Sequence, residues 1–395
     1  MHENCDCNKD CCKNQNAFKK AYTLELMTTL SCDMRCHYCF GSPGLVVPED
    51  HKGNMSEDVW NKSIDLIDNI KTTKFFENYD ELHIMLFGGE PTLSIDRANY
   101  IIDRYKDNDD INFYMVTNGQ HLEEMKPLLD KYALRREGRD PKLFVQISYD
   151  GNPINDIKRR DCHGNITSEK TKAFIKYMQD NDYVYTMKAT VTYDTLKYLH
   201  DAYLDFINVS NGDIEYFPTI DQSEFSNKLI ENIDENKKEE YKHDLERELL
   251  KIAKDEINNA KKTGFYRPRF QWFTDSKPIC AMGHSYICIG TNGNIYPCHG
   301  TAYIGETSKI CSIFDSDYPE KIFEANRYFG KIKYDGNKCE GCTADYCLKC
   351  PSESYKMSKM STDEEKYTDY GFNEFRCSLY KMSSKIKRAV EAIVK

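Results

Sequence analysis

The chain has 395 residues, more than one hydrophobic core usually supports, and with 40% hydrophobic and 30% charged residues it reads as a folded protein of two domains. Its 54 basic and 64 acidic side chains leave a net charge of −10, which argues against a general nucleic-acid or anionic-membrane binder. No apolar run approaches the ~20 residues of a membrane-spanning helix, and no signal-peptide core opens the chain, so a cytoplasmic location is expected and the 17 cysteines point to metal or redox chemistry rather than disulfides.

In chain order, residues 1–21 form a polar tail with Cys5, Cys7, Cys11 and Cys12, expected to be flexible and reduced. "YTLELMTTL" (22–30) is the first predicted strand. It is followed by strands at 80–88, 111–119, 142–151, 183–193 and 213–220, all rich in β-branched and aromatic residues, several ending in Gly or Asp turn signals. Amphipathic helices are predicted at 56–70 and 168–181, each opening on a serine cap. Such alternation implies parallel strands with helical crossovers, and six strands fit a partial or closed α/β barrel. Residues 226–268 read as a solvated helical bridge, their charged core being "IDENKKEEYKHDLERELLKIAKDEI". From 269 to 395 Gly- and Cys-rich turns suggest a small region stapled by metal rather than by a large core.

The first strand runs into Cys32, Cys36 and Cys39, with Tyr38 before the last. A structural zinc site closes with four ligands, and a 4Fe–4S cluster usually has four thiolates; three would leave one metal position open. The alternative is a reduced zinc knuckle. C-x3-C-x2-C after a first strand, with an aromatic before the last cysteine, resembles the signature of radical SAM enzymes. "LFGGEPTL" at the end of the second strand resembles that family's GGE motif. The resemblance implies a partial (β/α)6 radical SAM barrel over 22–225, a 4Fe–4S cluster on the three cysteines, and S-adenosylmethionine on its open iron. It further implies that Glu90 holds the methionine amino group beside Gly88 and Gly89. Tyr38 would pack on the adenine, and Asn118, Ser148 and Asp150, at the next two strand ends, would lie near the cofactor; for the last two, ordinary turn chemistry is an equal alternative. Arg159 and Arg160 are either ligands of the cofactor carboxylate or solvated loop residues, and Cys162 reads as a passive thiol.

Towards the C-terminus, Cys280, Cys298, Cys339, Cys342, Cys347, Cys350 and Cys377 resemble the SPASM domain, whose seven-cysteine pattern binds two auxiliary 4Fe–4S clusters. By that resemblance Cys339, Cys342, Cys347 and Cys377 hold the outer cluster. Cys280, Cys298 and Cys350 hold the inner one, with Cys288, Cys311 or a substrate thiolate as its fourth ligand. The spacing of the middle quartet is one residue short in two gaps, and a zinc ribbon is the alternative for two C-x2-C pairs. His299 stands where sulfatase maturases, the related branch, carry an Asp that takes a substrate proton; a histidine titrating near neutrality suits the same task, or simply lines a turn.

The function expected from these resemblances is oxidative modification of a peptide or protein by a radical SAM maturase. It would use three 4Fe–4S clusters, S-adenosylmethionine and an electron donor such as flavodoxin or ferredoxin, with no nucleic-acid or membrane partner. The 31 residues before Cys32 are too few for a separate leader-binding module. Rival expectations are a dehydrogenase of a small molecule and a non-catalytic iron–sulfur or zinc protein.

Overall fold

The computed structural model describes residues 19–39, 53–136, 140–221, 230, 232–276, 280–303, 305–331, 339, 341–348, 350, 352 and 373–394. The expectations for Cys5, Cys7, Cys11 and Cys12 lie outside them.

All six expected strands are present: β1 (Ala21–Thr29), β2 (Glu81–Gly88), β3 (Ile111–Thr117), β4 (Leu143–Ser148), β5 (Tyr185–Val191) and β6 (Pro218–Ile220). Three more follow, β7 (Tyr286–Ile289), β8 (Asn294–Tyr296) and β9 (Cys311–Ser312). They form one sheet in the order β6-β5-β4-β3-β2-β1-β7-β8-β9. Every pairing from β6 to β7 is parallel, while β8 and β9 run antiparallel to their neighbours. The helices are α1 (Glu57–Asp68), α2 (Ile95–Tyr105), α3 (Leu122–Tyr132), α4 (Ile154–Lys158), α5 (Ser168–Asp180), α6 (Leu199–Val209), α7 (Glu235–Thr263), α8 (His299–Ala302), α9 (Tyr318–Lys331) and α10 (Glu374–Val394).

Side chains alternate across the pleat. Leu24 and Leu26, Ile84 and Leu86, Phe113 and Met115, and Val145 and Ile147 are buried with the helices' apolar residues in one core. The intervening residues, among them His83, Met85, Phe87, Tyr114, Phe144, Gln146, Ser148 and Lys188, are half-buried and form a second, inner face. On it Tyr114 stacks on Phe144 with ring centroids 5.0 Å apart.

Three expectations are corrected. Ser56 does cap α1, accepting from the Val59 amide, but Ser168 is already the first residue of α5, and the Thr167 hydroxyl at its N-cap turns instead to the Arg159 carbonyl. The charged bridge is not merely solvated: α7 buries Tyr241, Leu245, Leu249, Ile252 and Ala260, a stripe that packs on α10, α6 and the turn at 193–198. Nor does the C-terminal part lack a large core, because it shares the barrel's: β7 extends the main sheet beside β1, and Trp272, Tyr346, Leu379 and Tyr380 join the same apolar cluster as the barrel strands. No helix among the described residues is long and apolar enough to cross a membrane.

Candidate active site

The cysteine loop leaves β1 between two main-chain supports. On one side the amides of Gly89 and Glu90 donate to the carbonyls of Thr29 (2.8 Å) and Ser31 (2.9 Å). On the other, Cys162 N donates to Asp33 O (2.8 Å), Arg35 N to Arg160 O (2.7 Å) and His37 N to Lys158 O (3.0 Å). Gly88 has φ +137°, and a Cβ there would stand 1.9 Å from Thr29 O; at Gly89 it would stand 2.3 Å from Ser31 O. What approaches both glycines this closely is the chain's own loop.

Cys32 lies in the field of Cys36, and Cys36 in that of Cys39. Burial pushes the Cys32 thiol up to about 12 and the Cys36 thiol up to about 11, the latter against the pull of the Arg159 guanidinium. None of the described cysteines is disulfide-bonded, and among the described residues no three His, Cys, Asp or Glu side chains converge on one metal ion.

Glu90 is buried at the end of β2. Its Oε1 accepts from the Thr92 hydroxyl (2.7 Å) and the Thr117 hydroxyl (2.9 Å), and its Oε2 from the Asn118 amide (2.7 Å). Burial still raises its carboxyl above the usual range. Asn118 is engaged too: its Nδ2 donates to Asp33 Oδ1 (2.8 Å), and His121 Nε2 lies 3.1 Å from Asp33 Oδ2. Burial opposes ionisation of Asp33, but the hydrogen bonds from His121 and Asn118 outweigh it and hold the carboxyl low. Glu90 and Asn118 therefore tie β2, β3 and the cysteine loop together.

Tyr38, Asp150 and Arg159 come together in a way that was not foreseen. The Tyr38 hydroxyl donates to Asp150 Oδ2 (2.5 Å) and accepts from Arg159 Nη1 (2.9 Å), while Asp150 Oδ1 accepts from the Thr190 amide (2.8 Å). Asp150 and Arg159 are both buried. Arg159 is thus neither a solvated loop residue nor directed at solvent; Arg160 is half-buried, Cys162 is exposed, and Ser148 faces Lys188 in register across β4 and β5.

His299 begins α8 and reaches back to the barrel. Its ring stacks on Phe87 at 4.4 Å, and its Nδ1 lies 2.9 Å from Glu25 Oε2. Glu25, 0% exposed on the inner face of β1, also accepts from the Tyr286 hydroxyl and, at 3.6 Å, from the Cys288 thiol. Sequence reasoning missed Glu25; the signal was a carboxylate between Leu24 and Leu26 in the middle of a predicted strand, where no charge belongs without partners.

The C-terminal cysteines fall into two neighbourhoods. Cys298 feels both Cys350 and Cys280, and Cys377 feels Cys339 and Cys342. Cys347 adjoins Tyr346 and lies in the field of Tyr380, one turn beyond Cys377 on α10. Of the two extra candidates, Cys288 neighbours Cys298, whereas Cys311 sits beside Asp315 and Lys321 on the core side, near Tyr22.

Residues 26–208 match the Radical SAM superfamily. Over 388 residues, 93% of this chain and 74% of the relative, the sequence is 22% identical to the radical SAM cyclopropyl synthase TigE of Paramaledivibacter caminithermalis. Over 183 residues, 45% of this chain and 56% of the relative, it is 25% identical to the uncharacterized protein MJ0907 of Methanocaldococcus jannaschii. Among solved structures, histidine-tagged anSMEcpe with bound AdoMet superposes with a TM-score of 0.67 at 17% identity, covering 95% of each chain. Native anSMEcpe with AdoMet and the Cp18Cys peptide gives 0.66 at 17% identity, covering 95% of this chain and 99% of that one. These structures share the fold. The match to the Radical SAM superfamily opens inside β1 and closes inside α6, so it takes in the three-thiol loop and its glycine support.

Proposed function

We propose that this radical SAM enzyme is a maturase that oxidatively modifies a residue of a peptide or protein, forming a crosslink, thioether or similar product. The observation that carries the reading is the placement of the C-terminal region. Through β7 it continues the barrel sheet at β1, so His299 comes to the same inner face, against Phe87 of β2. A relative described as a cyclopropyl synthase and a structure of this fold holding a peptide support it.

Cys32, Cys36 and Cys39 would hold the cluster that binds S-adenosylmethionine. Cys280, Cys298 and Cys350, joined by Cys288, would hold an inner auxiliary cluster, and Cys339, Cys342, Cys347 and Cys377 an outer one. When bound, these groups supply one-electron cleavage of the sulfonium, a carbon radical for hydrogen abstraction and a route for the electron left over. An electron donor such as flavodoxin or ferredoxin would feed them. The chain's own residues do the rest. Gly88, Gly89 and Glu90 fix the loop, and Tyr38, Asp150 and Arg159 pin its far end. The inner face, with the rings of Phe87, Tyr114 and Phe144, gives the substrate an apolar wall, and Glu25 holds His299 beside it.

The test is anaerobic turnover of reconstituted enzyme with S-adenosylmethionine, reductant and any short peptide encoded beside the gene. Loss of two hydrogens from the peptide, together with 5′-deoxyadenosine, is the expected result. Formation of 5′-deoxyadenosine with peptide unchanged in mass and stereochemistry contradicts the substrate class.

A further inference from the structure

Among the described residues, Lys188 is a cation without a carboxylate partner. It lies on the inner face of β5, in register with Ser148, while its neighbours Met187 and Ala189 are buried on the opposite face. Its ammonium sits 5.0 Å from the centre of the Phe217 ring, just before β6. Phe217 in turn meets Tyr346 edge-on at 6.3 Å, which carries this side of the barrel up to the segment holding Cys347 and Cys350. Burial lowers the lysine's pKa, and the groups that oppose this are the thiols of Cys280 and Cys350; no described acidic side chain contributes.

A desolvated ammonium is costly unless an anion faces it. Elsewhere buried lysines are answered by oxygen atoms: Lys387 by Asp275 at 2.6 Å, Lys158 by Asp194 at 2.8 Å, and Lys142 by the carbonyls of Asn108 and Ile111. Lys188 has instead the neighbourhood of Cys280 and Cys350, which with Cys298 form the inner thiol group. A positive charge of this kind beside three gathered thiols fits an anionic thiolate-ligated cluster at that place.

We propose that Lys188 is the counter-charge of the inner auxiliary cluster and sets its reduction potential. The inference rests on the cluster assignment above. Reduction adds one negative charge to the cluster, and a fixed positive charge in a poorly solvated site stabilises the reduced form more than the oxidised one. Removing the charge makes the cluster harder to reduce, so it becomes a poorer acceptor for the electron that an oxidative modification leaves behind. Lys188 touches neither substrate nor reacting atoms in this account; it is a positioning charge for the acceptor.

The experiment is a redox titration followed by electron paramagnetic resonance on the reconstituted full-length protein. The variants are Lys188→Met, Lys188→Gln and Lys188→Arg, with Cys350→Ala to mark which signal belongs to the inner cluster. Both neutral variants are expected to keep wild-type iron content. In them the marked signal should become at least tenfold harder to reduce in its equilibrium, equivalent to about 59 mV for one electron, while Lys188→Arg stays within about threefold of wild type. An unchanged potential in iron-replete neutral variants overturns the role of Lys188 and leaves the cluster assignment standing. A shift confined to a signal that survives Cys350→Ala, or loss of iron in both neutral variants, also overturns it. If Cys350→Ala removes neither iron nor any signal, the cluster assignment itself falls, and the counter-charge with it.

Discussion

The two cysteine regions of this enzyme are built by opposite means. Cys32, Cys36 and Cys39 come from eight consecutive residues, clamped by five main-chain hydrogen bonds from two flanks and by glycines that let β2 touch the loop. Cys280, Cys298, Cys339, Cys342, Cys347, Cys350 and Cys377 come from turns and one helix spread over about a hundred residues, anchored where β7, Trp272, Tyr346 and Tyr380 share the barrel's core. The first site is held by the protein's own backbone. The second relies on a distant core, and the clusters proposed for it would add to that, since ligands brought together from separate turns gain folding energy from coordination. The difference teaches that the loop should be rigid and intolerant of backbone change, while the C-terminal site should be tunable by side chains such as Lys188.

The largest effect is expected where the loop's support is broken. Gly88→Ala places a methyl 1.9 Å from a backbone oxygen at φ +137°. The main-chain strain alone is about 1–3 kcal/mol, and relief requires moving Thr29 out of register with the loop. The expected outcome is loss of 5′-deoxyadenosine formation by at least a hundredfold, with iron falling by one cluster's share while auxiliary absorption persists. Iron analysis beside a single-turnover assay checks it; wild-type cleavage in this variant would show that the loop tolerates what the clamp forbids.

A smaller and more selective effect is expected at the junction of the two regions. Glu25 accepts from Tyr286 and His299, and Gln in its place presents an amide NH2 group to donors that need an acceptor. Glu25→Gln should leave S-adenosylmethionine cleavage near wild type and lower product formed per 5′-deoxyadenosine about tenfold. It should leave the melting temperature within a few degrees, because a buried carboxylate is itself costly. Parallel loss of cleavage, product and melting temperature would make Glu25 a structural tie only.

The smallest effect concerns pH. The hydrogen bond with Asp33 raises the pKa of His121 above the ordinary 6.5. A raised histidine contributes stability that is complete below 6.5 and fades as pH climbs through the folded value. The melting temperature of the wild type should therefore drop slightly between pH 6 and 8, and His121→Gln should flatten that drop. An identical pH slope in the two proteins would remove this contact from the loop's support.

Much of this arrangement was legible in the sequence because it is encoded locally. Enrichment in β-branched and aromatic residues, with Gly or Asp turn signals, marked all six barrel strands, with 213–220 shortened to Pro218–Ile220, and the cysteine spacing with its GGE partner located the loop. What escaped depends on partners far along the chain. Tyr38 was expected to meet a nucleotide base, but its hydroxyl belongs to Asp150 and Arg159, more than a hundred residues away. Glu25 needs Tyr286 and His299 before its burial makes sense, and no local pattern joins them. The apolar stripe of α7 was masked by the density of charges around it, and α9 and α10 were hidden by the turn-like texture of the cysteine segments between them. The different surroundings of Cys288 and Cys311 also needed the sheet, which puts the one beside Cys298 and the other on the core side.

The central claim is that the radical made at the cysteine loop acts on a peptide at the inner face. Its most direct test is anaerobic turnover with that peptide synthesised from residues carrying carbon-bound deuterium, followed by mass spectrometry of the 5′-deoxyadenosine. The account predicts 5′-deoxyadenosine carrying one deuterium, in step with the peptide's loss of hydrogen. Unlabelled 5′-deoxyadenosine from a fully deuterated, unmodified peptide would contradict it.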